Sequence, residues 1–170
     1  LNSPESEIFE KGKMLFAFEK ASSNIRKRDK AIIVEGYFDV ISLHSKGITN
    51  SVASLGTALN KYQISQLCRC SDNKNIILNF DNDNAGLLAT KRVIKEVEGL
   101  SLHDQINLKI LQLKNFKDPD EYLNSNTPED YFNLIDNSSF WIDWEIDQIF
   151  KDKDLTLSLI HISEPTRLRR

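Results

Sequence analysis

The stretch Asn75–Gly86 reads NIILNFDNDNAG, an apolar run that ends in two aspartates one residue apart, with a small Ala-Gly pair behind them. Ile76, Ile77, Leu78 and Phe80 predict a buried strand, which puts Asp81 and Asp83 at its carboxyl end, where α/β sheets place their ligands. Two readings open from there. Asp and Asn are common turn formers, so the strand could simply stop in a polar turn. Alternatively, the Asp-x-Asp spacing lets two carboxylates at a strand end reach one metal ion, or bridge two ions roughly 3.5–4 Å apart.

Outward from this stretch, strands and helices alternate. AIIV (31–34) predicts a short strand, and YFDVISLHSKGI after it an amphipathic helix with Phe38, Ile41 and Ser45 near one face. SVAS (51–54) is a second strand, followed by a helix carrying Tyr62, Ile64 and Leu67. NIILNF is the third strand, and AGLLATKRVIKEVEG a helix ending at Gly99. NLKILQL (107–113) is the fourth, with DPDEYL, a helix start at Thr127-Pro128-Glu129 and a last helix through FWIDWEIDQIF beyond it. Strands interleaved with helices imply an α/β fold: a mostly parallel four-stranded sheet with helices on both faces, plus C-terminal helices.

Composition is consistent with that fold. A chain of 170 residues, 40% hydrophobic and 28% charged, can bury the core of one domain plus a flanking piece. A net charge of -3 gives no global basic signature for nucleic acid. No apolar run of membrane-spanning length and no secretory signal is present, so a cytoplasmic location without a membrane partner is the default expectation. Cys68 and Cys70, with only three histidines, are poor material for a zinc site and read as packing or surface residues.

The two ends differ in character. Ser3 as N-cap and Pro4 at the first helical position make a helix start, and the absence of an initiator Met suggests that native chain precedes it. LSLIHISEPTRLRR resembles a translated sequencing adapter, so 156–170 are expected to be a non-native tail, and the native protein to extend beyond both ends.

The acids fall into three groups on this frame. Glu35 directly follows the first strand and Asp39 lies four residues on; Asp81 and Asp83 follow the third; Asp118 and Asp120 come shortly after the fourth. If the strands run parallel, all six carboxylates gather at one edge, and several could not stay ionised without cations. Hard divalent metals with oxygen ligands answer that problem. Pro119 restricts the backbone between Asp118 and Asp120, and Gly86 permits close approach at a phosphate-handling edge. Taken singly, Glu35 and Asp39 could complement a helix dipole and Asp118 and Asp120 could cap a helix. Six in order at one edge favour the metal.

VEGYFDVI, ASLGTAL, FDNDNAG and KDPDEYL, in this order, resemble the TOPRIM domain of bacterial-type DNA primases, a Rossmann-like fold, and the opening LNSPESEIFEKGK is similar to the segment that precedes that domain. LNFDNDNAG, LKILQL and FWIDWEIDQI lean toward the cyanobacterial branch. The resemblance covers nearly all of residues 1–150. Asn82 stands where the family often has Gly or Ala, a mild departure because Asn tolerates turn conformations.

The resemblance implies metal-dependent synthesis of RNA primers from ribonucleoside triphosphates on a single-stranded DNA template, at the replication fork in the nucleoid. Glu35, Asp81 and Asp83 would be the catalytic acids and, with Asp39, Asp118 and Asp120, the ligands of Mg²⁺ or Mn²⁺. Asn2 and Lys11 would lie near the nucleotide or template. The implied organisation is the end of a basic subdomain (1–28), the TOPRIM domain (29–125) and the start of a helical subdomain (126–155). A zinc-binding domain and a domain that contacts the replicative helicase would lie outside this chain, so this piece alone could be inactive. Other TOPRIM enzymes, a topoisomerase or an OLD-type nuclease, would share the glutamate and Asp-x-Asp, but EGYFDVI and LNSPE look primase-like. A response-regulator receiver would carry its acidic pair after the first strand and a lone Asp after the third, the reverse of this chain.

Two further groups have dual readings. NIRKRDK (24–30) could track a DNA backbone, although a solvated loop is the preferred reading. Phe140, Trp141 and Trp144 could stack on bases, but their spacing more often marks a helix face in a core. SLGT (54–57) reads as a strand-to-helix loop with Thr57 as a cap or phosphate contact.

Overall fold

The computed structural model describes residues 10–54, 58–100 and 105–152; the helix start at Ser3-Pro4, the 55–57 turn and the 156–170 tail lie outside them. The four anticipated strands are β2 (Ala31–Val34), β3 (Ser51–Ser54), β4 (Asn75–Asn79) and β5 (Asn107–Ile110), all parallel to one another. Two short antiparallel strands, β1 (Leu15–Phe16) and β6 (Ser139–Phe140), close the edges and give the order β1-β3-β2-β4-β5-β6. Neither edge strand has a periodicity to read, being two residues long.

Alternate strand residues feed two cores, because successive side chains point to opposite faces. Ile33, Ile76 and Leu78 pack with α1 (Phe18–Arg28), α3 (Lys61–Cys68), α4 (Asn84–Glu98) and Trp144 of α7 (Trp141–Asp152). Ile32, Val34 and Ile77 pack with α2 (Tyr37–Ser45), α5 (Pro119–Ser125) and α6 (Pro128–Asp136). Burial on both faces explains why AIIV is apolar throughout instead of alternating. The 127–152 segment therefore packs back on the sheet through Tyr131, Ile135 and Trp144.

Three expectations need adjustment. Phe38 and Ile41 are 70% and 52% exposed; α2 buries Asp39, Val40 and Leu43 instead. Phe140 sits in β6 with Lys109 over its ring, so only Trp141 and Trp144 belong to the helix. The run 24–28 of NIRKRDK is the last turns of α1, not a loop, with Arg28 stacked over Phe132; Lys30 pairs with Asp136 at 2.6 Å. Cys68 and Cys70 are buried free thiols. Among the described residues no helix is long and apolar enough to cross a membrane.

The topology fixes where a site can form. The chain runs from β2 outward to β3, then crosses back over β2 to β4 and on to β5. The order therefore reverses between β2 and β4, and the crevice beyond their carboxyl ends is where open α/β sheets bind ligands. Glu35 follows one of these strands and Asp81 the other.

Candidate active site

Each acid is placed by a strand end or a helix start. Gly36 begins α2, and Asp39 in its first turn accepts the Gly36 backbone N–H through Oδ2 at 3.1 Å. Asp83 is the N-cap of α4, its Oδ1 accepting the Gly86 N–H at 2.9 Å. Asp118 caps α5 in the same way, accepting the Glu121 N–H at 2.9 Å, with Pro119 next in the helix. Asp120 is exposed in that first turn. The capping and metal readings are thus compatible: a carboxylate that caps with one oxygen still has a second, with its own lone pairs.

Their charges are felt across the crevice. Burial, then the charge on Asp81, raises the Glu35 carboxyl above its usual range, and the Asp81 backbone N–H offsets this only in part. Burial and then Asp118 push Asp39 up to about 6, with smaller contributions from Asp81 and Asp120. Asp81 is also raised, chiefly by burial; Lys117 opposes the shift and Asp118 and Asp83 add to it. Lys117 Nζ lies 3.8 Å from Asp81 Oδ2. Asp81 and Asp83 also border a cavity of about 240 Å³ whose far wall is Trp144, Gln148 and Lys151 of α7.

Among the described residues, no three His, Cys, Asp or Glu side chains converge into a ready-made metal cage. Three of the acids are turned toward helix caps, and a lysine supplies the positive charge beside Asp81. The donor set nevertheless fits a hard divalent cation. Glu35 Oε2 is buried with no hydrogen-bond partner, an orphaned anionic oxygen facing a crevice of further carboxylates. Gly86 is also required: a Cβ there would sit 2.0 Å from the Asp81 carbonyl oxygen, so only glycine lets α4 start directly against that loop.

Several residues hold the site in roles that the sequence did not announce. Asn82 donates its N–H to the Lys117 carbonyl at 2.9 Å and its side-chain amide to the Leu113 carbonyl at 3.4 Å, joining the loops after β4 and β5. Lys117, beside the KDPDEYL acids, could have been anticipated as a counterion. Asn79 and Tyr131 could not, since their meeting spans 52 positions of sequence. Lys11 lies in a 3₁₀ turn, Lys11–Lys13, tied to the start of α3 by an Asn60 Nδ2–Gly12 O bond of 2.7 Å; Asn2 lies outside the described residues.

Residues 32–123, which contain all six acids, match a family model described as Toprim-like. The chain belongs to the Toprim-like family. This Toprim-like domain is 51% identical over 155 residues to a DNA primase of Synechococcus elongatus, covering 91% of the chain and 22% of that relative. A DNA primase domain from Pseudomonas aeruginosa superposes with a TM-score of 0.81 at 33% identity, over 91% of the chain and 47% of that structure. A DnaG primase catalytic domain bound to ssDNA matches with a TM-score of 0.79 at 28% identity, over 92% of the chain and 49% of that structure. The Toprim-like domain thus spans about a quarter of the curated relatives it matches, cyanobacterial ones among them.

Proposed function

We propose that this domain is the catalytic centre of a bacterial-type DNA primase, joining ribonucleotides into short RNA primers on single-stranded DNA. The observation that carries this reading is Glu35, with a buried and unpartnered carboxylate oxygen, set across the β2–β4 crevice from Asp81 and Asp83. The similarity to named DNA primases supports the substrate class.

In this reading Asp81 and Asp83 hold divalent cations, Mg²⁺ or Mn²⁺, and Glu35 either completes that set or moves a proton as general acid or base. Asp39, Asp118 and Asp120 form the outer part of the cluster. When bound, such cations lower the pKa of an attacking 3′-hydroxyl and neutralise charge on the departing pyrophosphate. The protein's own contribution is to hold carboxylates at fixed strand and helix ends, so that little reorganisation is needed when charge develops. Lys117 partly balances the charge of Asp81, 3.8 Å away.

The finer parts of the proposal follow the family resemblance. Asn2 and Lys11 contact nucleotide or template; residues 1–28 close a basic subdomain, 29–125 form the TOPRIM domain, 126–155 begin a helical subdomain, and 156–170 are non-native. The whole protein works in the cytoplasm at the replication fork, with its zinc-binding and helicase-contacting domains outside this chain.

Calorimetric titration with Mn²⁺ tests the core of this reading. The parent chain is expected to bind, and Asp81→Ala/Asp83→Ala to lose that binding while still folding. Negligible binding by the parent, with and without a ribonucleoside triphosphate, would overturn it.

A further inference from the structure

Beneath the acid cluster lies a buried polar bridge that no carboxylate belongs to. Tyr131, on α6, is fully buried, and its hydroxyl donates to Asn79 Oδ1 at 2.7 Å. Asn79 closes β4, two residues before Asp81, and its Nδ2 donates to the Leu111 carbonyl just past β5 at 3.3 Å. The ring of Tyr131 lies 5.9 Å, centroid to centroid, from that of Tyr122 on α5, the helix that Asp118 caps. Tyr122 in turn meets Phe116 edge-on at 5.1 Å, immediately before Lys117. One side chain therefore reaches two of the three stretches of chain that carry acids: its hydroxyl holds the root of the Asp81–Asp83 loop and its ring supports the Asp118–Asp120 helix.

We infer that Tyr131 is a positioning residue for the metal-binding acids, fixing the β4 loop and the α5 start relative to one another through Asn79 and Tyr122. This inference rests on the reading of those acids as cation ligands, but its geometry stands apart from it.

A buried tyrosine bonded to a buried asparagine is more than filler. An apolar pair would fill the same volume, whereas this pair admits one arrangement, because each polar atom inside must find its partner. Burial first, and then the nearby Asp39 charge, keep the Tyr131 hydroxyl protonated and able to donate; because the Leu111 carbonyl can only accept, the Asn79 amide turns Nδ2 to it and leaves Oδ1 for that hydroxyl. The loop above is held by its own bond, Asn82 N–H to the Lys117 carbonyl. That bond joins the loops after β4 and β5, the same two segments that the buried Tyr131 bridge reaches through Asn79 and Tyr122. Its lifetime reports whether the bridge positions them.

Tyr131→Phe keeps the ring and removes the hydroxyl, while Asn79→Leu removes the same bond from its other end. Ile135→Val, on the same helix and in the same core, is the control for plain loss of packing. Amide hydrogen exchange at Asn82, measured without metal, and Mn²⁺ titration are the two readouts. Both bond-breaking variants are expected to exchange at Asn82 at least about fivefold faster than the control at matched thermal stability, and to bind Mn²⁺ several-fold more weakly. Exchange at Asn82 equal to that of Ile135→Val would overturn the inference, whatever the metal does. A parent that binds no Mn²⁺, with Asn82 exchange still accelerated, would leave the positioning role standing and remove the metal reading instead.

Discussion

Position 39 holds a carboxylate that the first turn of α2 buries, 8% exposed, with Asp118 and Asp81 nearby. Its pKa of about 6, against an ordinary 3.8, carries a definite sign for stability. Between those values the folded chain keeps a proton that the unfolded chain has released. Stability associated with this group is therefore present at low pH, declines as pH rises through the window, and is lost above about 6. Glu35 and Asp81 are shifted in the same direction and add to the trend. Asp39→Asn removes the penalty while its amide oxygen can still accept the Gly36 N–H. At pH 7 without metal it should gain about 2 kcal/mol, or roughly 5 °C in Tm by differential scanning calorimetry, and near pH 4 it should gain nothing. A gain independent of pH would mean that burial of the carboxylate is not the cause.

Elements were legible where their periodicity was strong and obscure where partners decided them. AIIV, SVAS and NIILN announced β2, β3 and β4 by composition, and the acids at their ends followed from the parallel arrangement. The face of α2 was not legible, because its buried stripe runs through Asp39, a charged residue that pattern reading assigns to solvent. β5 ends at Ile110 instead of Leu113: past it Leu111 still donates its N–H to the Leu78 carbonyl at 2.8 Å, but its own carbonyl accepts the Asn79 side chain. The start of α4 yields the next prediction. Gly86→Ala forces a methyl group against the Asp81 backbone, which must shift to admit it, so it should cost about 3 kcal/mol and displace the Asp81 loop enough to abolish Mn²⁺ binding. Calorimetry checks the first effect and metal titration the second; an unaltered Tm would refute the close approach. α7 yields a change of opposite sign. Gln148 Nε2 is buried without a partner, and Gln148→Leu removes that orphaned donor, so thermal melting should show about 1 kcal/mol of added stability.

At the scale of the molecule, the sheet order decides what the acids can do together. No residue pattern announces that β2 lies between β3 and β4, yet this places the strand reversal where Glu35 faces Asp81. Three acid groups distant in sequence become one electrostatic unit whose repulsion opposes folding. A cation bound at the site would turn that repulsion into attraction, which links metal, proton and fold. At about pH 7.5, above the value of about 6 to which Asp39 is pushed, that carboxylate is ionised, and Mg²⁺ at a hundred times its Kd should stabilise the native state by about 2.7 kcal/mol. Near pH 5 the proton retained by Asp39 competes with the metal, because binding must first release it. The metal-induced rise in Tm should therefore be several degrees at the higher pH and shrink sharply at the lower. Asp39→Asn should flatten the difference, since it removes the group that titrates nearest to this range. Melting curves with and without Mg²⁺ at the two pH values measure this directly. An equal rise at both would place the bound ion away from these carboxylates and separate the acid cluster from metal binding.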